Sequence, residues 1–318
     1  MSPHLAGNCF LWALGSKRRG HVVAIDVGSE LDARINELLN DELLILAEAS
    51  TGESVEHAVR PLSEAERASG VRFGEVQAVQ DAYLEAVTPV ILVLMGVAAD
   101  AVTREAARVA MSATMLRVLD EWRTTPPREL QEAMEVATAR VDEALTVAYR
   151  ESAQLLVKEA AAQGVRITAA TEAAPVTRQA VQTMATNIAD NTLGKVLDTA
   201  RTVYAAPAAT IEVPTPATME TVLTEISTKG PVDVARQASN AVIGEARMAT
   251  IENNDRKPAW LWSSELLDGN TCGPCSRIDG TEWSTIEEAR RHYPPMSGYV
   301  DCAGGSRCRG TCVFVWED

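Results

Sequence analysis

Five of the six cysteines lie in the last part of the chain, as Cys272, Cys275, Cys302, Cys308 and Cys312. Cys272 and Cys275 have the C-x-x-C spacing that lets two thiolates grip one metal ion from a tight turn. Cys302 and Cys308 supply a second pair. Tetrahedral zinc takes four ligands at about 2.3 Å from each sulfur, so the expected site is a structural zinc (Zn) held by Cys272, Cys275, Cys302 and Cys308. Cys312 leaves an odd thiol that can stand in for Cys302, and His292 is a weaker substitute. Arg307 and Arg309 are placed to offset the charge of a tetrathiolate. Two other chemistries compete. Disulfides such as Cys302 with Cys308 would suit an oxidising compartment. A redox dithiol is the other, because Cys272-Gly273-Pro274-Cys275 is the tetrapeptide of thioredoxins. That fold needs a long sheet on both sides of the motif and an aromatic before its first Cys, and here Thr271 stands there.

Aromatic residues are scarce, at 4%, while Ala, Val and Leu dominate. That balance favours packed helices. The aromatics also concentrate at one end, where Trp260, Trp262, Trp283, Tyr293, Tyr299, Phe314 and Trp316 mark a different kind of unit. The expected fold is mainly α, an elongated helical bundle followed by a small C-terminal α+β domain stapled by zinc. Of the formal charge of −15, ten Asp+Glu against seven Lys+Arg place −3 from Asn253 onward and −12 before it. Such an acidic body is a poor general binder of nucleic acid, whose affinity comes from basic groups displacing counterions. Lys17-Arg18-Arg19 and Arg290-Arg291 are small clusters that read as solvated surface. The apolar run Val87 to Ala99 is shorter than the roughly 20 residues a membrane span needs, so it reads as a buried helix. No secretory signal is expected, and a cytoplasmic origin favours metal over disulfide.

Taken in order, residues 1–28 are unassigned. Cys9 and His21 suggest a nucleophile and base, but no supporting framework surrounds them. An acidic, Ala-rich helical domain is expected over 29–205. Its helices begin at the cap Ser29, with Leu31, Ile35, Leu38, Leu39 and Leu43 on one stripe, and continue from Ser54 to Ala68 and from Glu75 to Val87. Pro89 is expected to kink or restart the chain, with a helix then running from Val90 to Trp122. The clearest helix follows Pro127, where Leu130, Met134, Ala137, Val141, Leu145 and Ala148 recur at three- and four-residue steps towards Gly164. Another spans Pro175 to Tyr204. Pro207, Pro214 and Pro216 make 206–217 a stiff linker, and 218–252 holds the helices leading into the Cys-rich domain, 253–318. There Trp260 to Ser263 alternates as a strand, Asp279-Gly280 marks a hairpin turn, Ser284 to Glu288 opens a helix as a capping box, and Cys312 to Trp316 closes with a strand.

Catalytic patterns are missing. A zinc deaminase would carry His-x-Glu before Pro-Cys-x-x-Cys, and neither occurs. His-Glu-x-x-His, Gly-x-Ser-x-Gly and a phosphate-binding glycine loop are also absent. Helix capping accounts for Ser284, Thr285, Glu287 and Glu288 better than a fragment of an ADP-ribosyltransferase site.

Across about its last 90 residues the chain resembles bacteriophage minor head proteins of the Mu F type, also called head morphogenesis proteins. The positions that carry the likeness are Asp268, Thr271, Cys272, Cys275, Asp279, Gly280, Pro294, Pro295, Cys308 and Arg309. The chain departs from the common His-Pro-x-Cys-Arg-Cys ending, and Cys302 stands as the replacement ligand. The resemblance implies a structural, non-enzymatic protein that binds the phage portal protein in a few copies during head assembly. It further implies contact with major capsid or scaffolding protein and residence inside the virion at the portal vertex, after synthesis in the host cytoplasm. The alternatives are an internal protein ejected with DNA, and a capsid-maturation protease or thiol oxidoreductase.

Overall fold

The apolar run Val87 to Ala99 lies within one long helix, α1, Phe73–Arg108. The computed structural model describes residues 70–71, 73–109, 111–205, 215–265, 271–304 and 310–316; the helices expected over 29–68, the Cys9–His21 pair and most of the 206–217 linker lie outside them. Pro89 does not restart the chain: α1 runs through it as one helix, where the sequence suggested separate helices before and after it. Losing one backbone bond to an interior proline costs about 3 kcal/mol. Burial of Val87, Ile91, Leu94 and Met95 on the same helix offsets it, at about 1.5–3 kcal/mol for each large side chain. The break comes later, at an extended Met111 (φ −133°, ψ 130°) before α2, Ser112–Trp122. No Gly or Pro marks that point. The separate turn exists because it lets Met115 and Leu119 enter the core, where both are almost fully buried.

Helix α3, Arg128–Ala162, begins after Pro127, whose carbonyl accepts the N–H of Leu130 and Gln131. It ends in a Schellman motif: Val165 N–H bonds Ala160 O at 2.9 Å, Gly164 N–H bonds Ala161 O, and Gly164 adopts φ 78°. Leu130, Ala137, Val141, Leu145 and Ala148 are buried, as the periodicity requires. Helix α4, Pro175–Ala205, packs against α3 and α1. The N-cap Thr215 opens α5, Pro216–Thr224, by accepting Thr218 N–H. Helix α6, Lys229–Glu252, then lies along α1, α3 and α4. The fold is mainly α, and Val79, Tyr83, Val141, Leu145, Ile188, Leu197 and Val242 share its principal core.

Strand β1, Trp260–Ser264, is the centre of a three-stranded antiparallel sheet. The chain leaves it for a short helix, α7, Gly273–Ile278, and turns back through Asp279-Gly280 into β2, Glu282–Trp283. Asp279 at φ −53°, ψ 130°, Gly280 at φ 76° and the Thr281 N–H to Ile278 O bond make this a type II turn. It joins a helix to a strand, where the sequence suggested two strands. Helix α8, Ile286–His292, opens at Thr285, which accepts Glu288 N–H while the Glu288 carboxylate accepts Ser284 N–H. Strand β3, Thr311–Val315, pairs with β1 in the register Leu261↔Phe314 and Trp262↔Val313.

Both faces of this small sheet are covered. Leu261, Phe314 and Trp316 pack with Leu156 and Ala160 of α3 and Met248 and Ile251 of α6. Trp262 and Val313, on the other face, pack with Val71. Polar groups fasten the join. The Gln163 amide donates to Phe314 O and accepts Trp316 N–H, so it behaves as a one-residue strand on the edge of β3. Arg247 of α6 forms a two-pronged pair with Glu159 of α3 at 2.7 and 3.0 Å and also donates to Cys312 O of β3. Both partners are at most 2% exposed. Replacing Arg247 with Met should cost about 3–5 kcal/mol in urea denaturation by stranding Glu159 in the interior, and adding Glu159→Leu should restore much of it.

Candidate metal centre

Cys272 is the N-cap of α7 and Cys275 lies three residues into it, with Pro274 fixing the first turn. The sulfurs therefore sit on the same side of a helix start, where unpaired N–H groups favour negative charge. Cys302 arrives from the loop after α8, held by its N–H bond to Tyr299 O at 3.0 Å. The three sulfurs lie within 4.8 Å of one another, and Cys272 and Cys302 are 3.9 Å apart. A tetrahedral ion bound at about 2.3 Å from each sulfur needs sulfurs about 3.8 Å apart. The Cys272–Cys302 separation fits such a site, and these three cysteines can hold a metal.

The electrostatics suit thiolates. Burial alone would raise the Cys272 pKa, but hydrogen bonds from the Cys275 backbone and side chain and from the Ala303 and Gly304 N–H groups bring it from 9.0 to about 7. Backbone N–H donors aimed at a sulfur stabilise its anion whether or not an ion is bound.

The fourth expected ligand, Cys308, lies outside the described residues, as do Arg307, Arg309 and Asp268. The two substitutes do not join the cluster. Cys312 faces the buried side of β3, where burial pushes its thiol up to about 12, against the pull of Arg247. His292 stacks on Trp283, with ring centres 5.4 Å apart.

Sequence reasoning missed Glu265. Its backbone N–H donates to Asp279 Oδ1 at 2.8 Å, and its buried carboxylate accepts the Tyr293 hydroxyl at 2.7 Å. Tyr293 in turn contacts Ser263 Oγ at 2.6 Å. Burial pushes the Glu265 carboxyl up to about 7, partly countered by hydrogen bonds from Tyr293 and Cys275. The only local sign was a charged residue directly after an alternating strand, which ordinarily means a solvated strand end.

Comparison with protein-family models, with curated proteins and with solved structures gives no match. In metal-free protein, raising the pH should increase alkylation of Cys272 with a midpoint near 7, well below that of an ordinary thiol. Mass mapping after iodoacetamide should find Cys312 unmodified until the protein is unfolded.

Proposed function

We propose that this chain is a structural minor head protein of a tailed bacteriophage, of the Mu F type, which binds the portal protein during capsid assembly and works without catalysis. Its tail holds one structural zinc, and a few copies remain inside the virion at the portal vertex, near major capsid or scaffolding protein. The observation that carries this reading is the meeting of Cys272 and Cys275 with Cys302, because these thiols belong to the stretch with the head-protein likeness. Soft sulfur ligands in near-tetrahedral spacing favour zinc over the harder divalent ions. Zinc supplies no redox chemistry and, with four sulfurs, offers no open position for substrate. Cys308 is assigned as the fourth ligand from the sequence pattern.

The division of labour is physical. The helical body has a large core of its own, while the loops around Cys272 and Cys302 have little apolar material to hold them. An ion that cross-links those loops makes a rigid knob on a body whose acidic surface suits a basic protein partner better than DNA. A second reading, a thiol oxidoreductase, draws on the lowered Cys272 pKa. Insulin reduction separates the two, since the structural reading expects none above background.

Elemental analysis of protein purified without chelator should find about one zinc per chain, lost in Cys272→Ser and Cys275→Ser. Co-sedimentation with portal should be retained by the intact protein and abolished in both variants, and heads made with them should lack the protein. Normal DNA packaging into Cys272→Ser particles that contain no zinc would refute the role given to the tail.

A further inference from the structure

Three stretches of chain meet at one buried side chain beside the cysteine cluster. Glu265 is 3% exposed. It accepts a hydrogen bond from Tyr293 at the end of α8, at 2.7 Å, and another from the Cys275 thiol on α7 while that thiol is protonated. Tyr293 packs against Tyr299, with ring centres 5.8 Å apart, and the Tyr299 carbonyl holds the backbone of Cys302. The third stretch passes directly over the carboxylate at Gly310, where a Cβ would overlap Oε1, Cδ and Oε2. Gly310 is two residues beyond Cys308. Glu265 itself cannot drift, because its N–H is bound to Asp279 just after α7.

We propose that Glu265 is a positioning residue for the metal centre: it is not a ligand, but it sets the mutual placement of the segments bearing Cys275 and Cys302 and of the backbone at Gly310. Its absence from the ligand cluster follows from geometry, since only Cys272, Cys275 and Cys302 meet within 4.8 Å among the described residues. A solvated carboxylate would gain nothing from this position. A buried one is retained where its acceptors are used, and here they take the hydroxyl of the aromatic pair leading to Cys302, while the Glu265 N–H holds Asp279 at the end of the cysteine helix. Groups that orient metal ligands typically contribute about 10- to 100-fold in metal affinity. Glycine at 310 is required by the same arrangement, because any side chain would displace the carboxylate.

This inference rests on the cysteines binding metal, and cobalt(II) tests both separately. Cobalt(II) affinity of the full chain is measured by chelator competition, with the thiolate charge-transfer and d–d bands recorded alongside far-UV circular dichroism. Glu265→Ala should bind about 10- to 100-fold more weakly, with altered d–d bands and unchanged helical signal. Glu265→Gln keeps an acceptor oxygen for Tyr293 and should stay within about threefold of the parent. Tyr293→Phe retains the ring packing, removes the donor and should fall between them; it carries the test by itself if the alanine variant does not fold. Parent-like affinity and bands in both Glu265→Ala and Tyr293→Phe would overturn the positioning role while leaving the metal site intact. Weakened binding of Tyr293→Phe that merely tracks lost helical signal would overturn it too. A parent protein that binds no cobalt would overturn this role together with the metal reading.

Discussion

A guanidinium that is 1% exposed joins the two halves of this structure. Arg247 is held by both oxygens of Glu159 and donates to the Cys312 carbonyl, with its charged carbon 5.7 Å from the centre of the Phe314 ring. Removing these charges from water is costly, so the pair persists only with its geometry intact. That geometry demands one placement of α3, α6 and β3 together. Apolar contact between Leu156, Met248, Leu261 and Phe314 would tolerate sliding; the fork of Arg247 would not. Gln163 supports the same placement by bonding Phe314 O and Trp316 N–H on the outer edge of β3, which also blunts that edge against strand addition.

This fixed join gives the cysteine loops a firm base. Arg290 of α8 reaches Glu245 and Glu252 of α6, so the helix preceding the Cys302 loop is tied to the body as well. The cysteine cluster thus joins loops that follow β1 and α8, elements already tied to the body. An ion held there would not have to organise the sheet, because β1 pairs with β3 over five residue pairs on its own. Acidic charge on the helices and thiolate charge at the tail are handled differently: the former mostly faces water or, at Glu159 and Glu245, pairs with arginines, while the latter is met by backbone N–H groups.

Much of the helical body was legible because its signals are local. The stripe from Leu130 to Ala148, the prolines before Arg128 and the glycine at 164 each act within a few residues, and period and capping express them directly. Two features were not. Pro89 stays inside α1 because the core around Val87 and Ile91 outweighs the lost hydrogen bond. The break at Met111 has no residue that announces it, and arises from where Met115 and Leu119 must go. Asp279-Gly280 announced a turn correctly, but a turn residue does not say whether a helix or a strand leads into it.

For the candidate centre, the sequence alone determined the cysteines at 272 and 275, since two residues of spacing and one proline bring those sulfurs to the same helix start. It also determined that the chain would be mainly helical, with half of its aromatics gathered in the tail. Tertiary structure decided that Cys302, 27 residues beyond Cys275, meets them and that Cys312 is spent inside the sheet. It also decided that Glu265 and Arg247 are buried. Burial of a charge depends on partners far away along the chain, and composition carries no record of which partners those are.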